Sequence, residues 1–72
     1  MKRYFFSINI STLDFYPYYQ GKIQDIVVTT NEGKTVQFPA MHLRKFLLPT
    51  GIKGYFCLKT ENNKFLSLEK LA

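Results

Sequence analysis

The segment Lys34–Gly54, KTVQFPAMHLRKFLLPTGIKG, decides how this chain changes direction. It holds two of the three prolines, the only histidine and two of the four glycines. Pro39 favours the first turn of a helix, where the N–H that proline lacks would have no partner. Pro49 ends that helix, and the Thr50–Gly51 pair after it turns the chain.

The residues between these two prolines have the spacing of a short helix with one apolar face. Leu43, Phe46 and Leu47 follow one another at i, i+3 and i+4, which places them on one side of a helix. Arg44 and Lys45 fall mostly outside this apolar stripe. We therefore interpret the segment as a strand–helix–strand corner, an interpretation that needs no functional site.

Apolar and polar residues alternate on both sides of this corner, which is typical of strands with one buried face. Residues 4–10 form one such run, residues 22–38 form two that are joined by the turn Asn31–Gly33, and residues 52–59 and 65–71 form two more. The side chains predicted to point inward are Phe6, Ile8, Val28, Phe38, Phe56, Leu66 and Leu68.

A second helix is predicted between the first two strands. Ser11 and Asp14 have the spacing of a capping box, which favours a helix start, and Pro17 limits this helix to one or two turns before Gly21. The predicted order is β-α-β-β-α-β-β. This indicates an α+β, mainly antiparallel fold, with about five strands in a strongly curved sheet or a small half-open barrel of the OB or SH3 kind.

Length and composition limit the class of protein. With 72 residues, residues 1–72 form a single domain with little interior available for a ligand pocket. A hydrophobic content of 46% with 17% aromatic residues excludes a disordered chain. Cys57 is the only cysteine, so no internal disulfide can form and no zinc site is expected. The absence of a signal peptide and of a long apolar run predicts a cytoplasmic protein without a membrane partner.

No motif in the sequence indicates catalysis or a cofactor. His42 has no spacing that ties it to Cys57 or Ser67 as base and nucleophile. The carboxylates fall in predicted caps, turns and strand surfaces, and no glycine-rich phosphate loop occurs. We therefore expect no catalytic, metal or cofactor-binding residues, and the chain is not expected to be an enzyme.

Aromatic and basic residues outside the predicted core are the candidates for a binding surface. The net charge is +5, but the basic residues are scattered and form no run. The candidate residues are Arg3, Phe5, Arg44, Lys45, Lys53, Tyr55, Lys59 and Phe65. Exposed together, they favour binding to another protein, or to a second copy through an edge strand as a homodimer.

Three other interpretations of the same residues stay open. Aromatic rings beside cations also suit a single-stranded nucleic acid, with bases stacked on Phe5, Tyr55 and Phe65. A small anionic ligand is a further candidate. Alternatively, Phe5 and Phe65 pack beneath the helix at Phe15–Tyr19 and contribute only to the core.

Five segments of the chain resemble a family of short bacterial proteins catalogued as domain of unknown function 2835. They are RYFFSINIS at Arg3–Ser11, YYQGK at Tyr18–Lys22, VQFPAMHLRKFL at Val36–Leu47, GIKGYF at Gly51–Phe56 and NKFLSLEK at Asn63–Lys70. The resemblance covers nearly the whole chain. It implies a free-standing cytoplasmic domain, and it implies no activity and no catalytic residues.

Overall fold

The computed structural model describes the whole chain, Met1–Ala72. Its elements are β1 (Lys2–Ile10), α1 (Thr12–Tyr19), β2 (Asp25–Thr29), β3 (Thr35–Pro39), a 3-10 helix (Ala40–Phe46), β4 (Ile52–Glu61) and β5 (Lys64–Lys70). The predicted α+β class, the antiparallel pairing and the order β-α-β-β-α-β-β are confirmed. Neither helix has the length and the apolar run that a membrane crossing requires.

The strands form two separate sheets, so the predicted single curved sheet or half-open barrel is wrong. One sheet has three strands in the order β1-β4-β5, and the other is the two-stranded hairpin β2-β3. A backbone hydrogen bond from Asn31 N–H to the Phe5 carbonyl, 2.9 Å long, joins the hairpin to the edge of β1. The hairpin strands are only five residues long and bury Ile26, Val28 and Phe38 in the shared core, so the sheets do not close.

Helix α1 begins at the predicted cap. The Ser11 hydroxyl accepts a hydrogen bond from the Asp14 N–H at 3.1 Å, which satisfies one of the free donors of the first turn. Pro17 lies inside this eight-residue helix and removes one of its backbone hydrogen bonds. The helix accordingly ends after two turns, and Gly21 follows with a φ of +80°.

The corner between β3 and β4 is a seven-residue 3-10 helix rather than an α-helix. Pro39, the predicted first helical residue, is instead the last residue of β3 and the N-cap of this helix, which begins one position later at Ala40. Gly51 then crosses the start of α1 so closely that a Cβ on it would lie 2.8 Å from the Ser11 Cα and would collide with the Ile10 carbonyl. Its φ of +117° is also a conformation that favours glycine.

The core lies on one face of the three-stranded sheet. Helix α1, the hairpin and the 3-10 helix supply the opposing side chains, and the Phe6 ring lies 5.8 Å from Phe38 and 6.2 Å from Phe56. The core residues are Phe6, Ile8, Phe15, Ile26, Val28, Phe38, Ala40, Leu43, Ile52, Phe56, Leu58 and Leu68. Every residue predicted to point inward is therefore confirmed except Leu66.

A β-bulge in β5 explains the exception. Lys59 pairs with Ser67, but the next residue, Thr60, pairs with Phe65, so Leu66 is an extra residue in the ladder. An extra residue reverses the alternation of side chains beyond it. Leu66 is consequently 48% exposed, while Phe65 turns toward the core and packs against it.

Candidate binding surfaces

Five of the eight candidate residues lie on the face of the three-stranded sheet that points away from the core. We call this the outer face and define it by Arg3, Phe5, Ser7, Asn9, Lys53, Tyr55, Cys57, Lys59 and Glu69. The antiparallel register places Arg3 opposite Lys59 and Phe5 opposite Cys57. Neither helix nor the hairpin covers these residues, and most of them are exposed or half-buried.

An aromatic pair occupies the middle of the outer face. The rings of Phe5 and Tyr55 have centroids 6.2 Å apart and planes 18° apart. Phe5 is 37% exposed, and the neighbouring thiol of Cys57 is only 3% exposed although no secondary-structure element covers this face. Because Phe5 lies directly opposite Cys57, we infer that the aromatic pair shields the only cysteine from solvent.

Asn31 in the turn of the hairpin holds Tyr55 in place. Its side-chain amide donates a hydrogen bond to the Tyr55 hydroxyl, and its backbone N–H bonds the carbonyl of Phe5. One residue thus bonds both members of the aromatic pair. The turn that joins β2 and β3 thereby fixes the edge of the outer face.

The charges of the outer face are separated along the strands. Arg3 and Lys53 stand at opposite ends, since Asn9, the partner of Lys53, lies six positions after Arg3 along the strand, a span of about 20 Å. Lys59 is not free, because its ammonium lies 3.0 Å from a carboxylate oxygen of Glu69. The outer face is therefore basic at its ends and neutralised at this ion pair.

The other three candidate residues, Arg44, Lys45 and Phe65, lie away from the outer face. The interpretation in which Phe5, Tyr55 and Phe65 share one surface is therefore wrong for Phe65, because the bulge turns its ring inward. The alternative that places Phe5 and Phe65 beneath α1 is also wrong. Phe5 lies on the outer face, and Phe65 stacks on His42 of the 3-10 helix.

Arg44 has a structural role. Its guanidinium donates a hydrogen bond of 2.6 Å to the Tyr19 carbonyl at the end of α1. The same group lies 5.1 Å from the centre of the Tyr19 ring, within the range of a cation–π contact. Arg44 therefore caps α1 and joins it to the 3-10 helix, which limits what its charge can offer to a partner.

An open cleft of about 400 Å³ separates the 3-10 helix from β5, and we call it the His42 cleft. Met41, His42 and Lys45 line it from the helix, and Phe65, Leu66 and Leu68 line it from the strand. The imidazole of His42 lies face to face with the Phe65 ring at 3.6 Å and 6°. Burial and, to a lesser extent, the nearby Lys45 ammonium lower the pKa of His42 below 6.5.

Several residues of these surfaces could not be found from the sequence. In the sequence, Asn31 is an ordinary turn residue and Glu69 an ordinary strand carboxylate. Their roles on the outer face depend on tertiary contacts with Tyr55 and Lys59. One local signal does exist for the bulge, since two large apolar residues, Phe65 and Leu66, stand side by side in an otherwise alternating strand. No three His, Cys, Asp or Glu side chains come together in an arrangement that could hold a metal ion.

Comparison with known proteins agrees with the resemblance seen in the sequence. The chain matches the family described as protein of unknown function (DUF2835) over residues 2–71. No curated protein and no solved structure matches it. The family match extends through every strand and both helices. The chain therefore belongs to the DUF2835 family.

Proposed function

We propose that this protein is a non-enzymatic, cytoplasmic binding domain whose outer face takes an acidic segment of another protein. The observation that carries the proposal is an uncovered sheet face with an aromatic pair between two separated basic side chains. Phe5 and Tyr55 supply the apolar centre, and Arg3 and Lys53 supply charge at the two ends. Tyr, Phe and Arg are enriched at the cores of protein interfaces.

The layout of the face supports an extended acidic segment. The aromatic pair is anchored by Asn31, so little conformational entropy is lost when a partner covers it. Carboxylates of the partner would meet Arg3 at one end and Lys53 at the other. Complementary charges of this kind steer association and fix the register of the bound segment.

Single-stranded nucleic acid is the second candidate ligand for the same face. The exposed ring of Phe5 beside Arg3 favours it, since bases stack on aromatic residues of open sheets while cations contact phosphates. The spacing of the charges weighs against it, because Glu69 neutralises Lys59 beside Arg3. Arg3 and Lys53 then remain about 20 Å apart, too far apart to follow the closely spaced phosphates of a single strand. Protein binding is therefore the preferred function.

Site-specific photocrosslinking tests the proposal. A photoreactive amino acid replaces Ser7, which is exposed on the outer face opposite Tyr55, and in a matched control it replaces Val27, which is exposed on the hairpin. We expect a defined protein to crosslink from position 7 and not from position 27. The purified partner should bind the native domain, and Phe5→Ala should weaken that binding about fivefold or more, as truncation of an interface aromatic residue does.

Two results would overturn protein binding at this face. One is equal crosslinking from positions 7 and 27, and the other is a partner whose affinity Phe5→Ala leaves unchanged. The nucleic-acid alternative is measured separately with labelled single-stranded oligonucleotides. Affinity that falls steeply between about 50 and 200 mM salt and is lost in Arg3→Glu would favour nucleic acid as the ligand.

A further inference from the structure

The His42 cleft lies between the 3-10 helix and β5, away from the outer face. Its volume of about 400 Å³ falls within the usual range of sites for small molecules. Half of its eight lining residues are apolar, namely Met41, Leu66, Leu68 and the aromatic Phe65. Two of these apolar side chains, Met41 and Leu66, remain exposed although they flank a concave surface.

The polar groups of the cleft are positive or neutral. Its lining includes His42, Arg44 and Lys45 but no carboxylate. The one ion pair of the molecule joins Lys59 to Glu69 on the outer face, so Lys45 has no acidic partner. The side chains of His42 and Lys45 also make no hydrogen bond within the chain. The Lys45 ammonium lies 5.1 Å from the centre of the Phe46 ring, but this contact uses none of its three hydrogen-bond donors, so Lys45 and His42 can both bind an anion.

The position of His42 is set by its stacking contact. Its ring lies parallel to Phe65 at 3.6 Å, which restricts the plane of the imidazole. Lys45 stands one helical turn further along the same segment and is close enough to His42 to act on its charge. The two donors thus belong to one short helix and border one cavity.

The cationic group that is available in the cleft favours a phosphate over a carboxylate as its ligand. A carboxylate is best recognised by the planar fork of a guanidinium, but the guanidinium of Arg44 is held by the carbonyl and ring of Tyr19. The charge that remains is the ammonium of Lys45, a point charge of the kind that binds phosphate groups in many proteins. The imidazole of His42 can add a second hydrogen bond to a phosphate oxygen.

We propose that the His42 cleft binds a small organic phosphate, with the phosphate group at Lys45 and His42 and the apolar body against Met41 and Leu66. This site is separate from the outer face and independent of the function proposed for that face. It assigns a role to the one histidine of the chain and to a lysine that has no hydrogen bond and no ion pair within the chain.

An NMR titration of the full chain with phenyl phosphate tests this site. We expect saturable shifts of the amides of His42, Lys45 and Leu66 and of the imidazole protons of His42. Phenol and inorganic phosphate, which each carry one half of the probe, should bind at least about tenfold more weakly, since each lacks one set of contacts. Phe5→Ala on the outer face should leave the titration unchanged.

Two variants of equal net charge distinguish specific binding in the cleft from non-specific attraction of the anion to a basic protein. Lys45→Ala should weaken binding of phenyl phosphate about tenfold, the usual effect of losing one charge-assisted contact. Lys34→Ala, in the exposed turn of the hairpin, removes the same charge away from the cleft and should have no comparable effect. Equal weakening by both variants, or no saturable shift up to about 10 mM probe, would overturn the proposal.

Discussion

His42 and Phe65 lie face to face, with ring centroids 3.6 Å apart and planes within 6° of parallel. This contact joins the 3-10 helix to β5. It exists only because the bulge at Leu66 turns Phe65 toward the core. The same contact buries the imidazole in part, so folding and the protonation of His42 are linked.

Stability should therefore fall as the pH is lowered through the titration range of His42. The pKa of His42 is lowered in the folded protein from its usual 6.5, so the unfolded chain binds more protons between the two pKa values. Where the unfolded state binds more protons, the free energy of unfolding rises with pH. We expect a lower urea midpoint at pH 5.5 than at pH 7.5. This decrease in the midpoint should be smaller in His42→Gln.

The variant is compared with the native chain at both pH values, because the carboxylates contribute to the pH dependence of stability equally in both proteins. An identical decrease in both proteins would contradict the linkage to His42. Lys45→Ala should also change the pKa of His42. Removal of the ammonium removes one cause of the lowered pKa, so the pKa of His42, read from its imidazole proton shifts, should move upward.

Leu66 and Leu68 should respond differently to the same truncation. Leu68 is buried in the core, and Leu66 is the exposed extra residue of the bulge. Leu68→Ala should lower the free energy of unfolding by about 2–5 kcal/mol, as loss of a buried leucine does, while Leu66→Ala should change it by less than about 0.5 kcal/mol. Denaturant unfolding of the two variants measures the difference. Equal losses would mean that β5 continues its alternation without a bulge.

Gly51→Ala should be strongly destabilising. An added Cβ would meet the Ile10 carbonyl and the Ser11 Cα, both backbone atoms that cannot move aside cheaply, in a conformation with φ of +117°. We expect a loss of about 2 kcal/mol or more in the free energy of unfolding. Gly33→Ala is the matched control, because Gly33 also has positive φ but no atom lies within 4 Å of its added Cβ. A loss at Gly33 as large as that at Gly51 would show that the close crossing contributes nothing.

The thiol of Cys57 reports on the aromatic pair of the outer face. It is buried beside Phe5 and Tyr55, so it should react slowly with a thiol reagent in the native protein. Phe5→Ala should accelerate this reaction at least about tenfold because it exposes the thiol, while Leu13→Ala, on the exposed surface of α1, should not. Unfolding curves of both variants show whether faster reaction reflects local exposure. An unchanged rate in Phe5→Ala would mean that other groups shield the thiol.

Much of the outer face could be predicted from the sequence. Alternation within one strand places Arg3 with Phe5, and likewise Lys53 with Tyr55 and Lys59, because successive strand residues point to opposite sides. The antiparallel pairing of β1 with β4 then combines the two sets. The inward positions of Phe6 and Phe56 follow from the same local rule.

The alternation of side chains along a strand could not predict the bulge in β5. A bulge has no fixed residue type, and here no glycine marks it, so Leu66 and Phe65 were each predicted on the wrong side of the sheet. Arg44 is exposed as predicted, but its hydrogen bond to Tyr19, 25 positions earlier in the chain, has no signal in the sequence. Both outcomes depend on groups that come together only after the helices pack.

The order of the elements along the chain, the cap at Ser11 and most of the core follow from short-range patterns, since each depends on residues a few positions apart. The division of the five strands into two sheets, the bulge in β5 and the contact of His42 with Phe65 follow instead from the packing of the folded chain. Strand register and sheet closure depend on how apolar faces from distant parts of the sequence bury one another, and the local spacing of residues does not specify that packing.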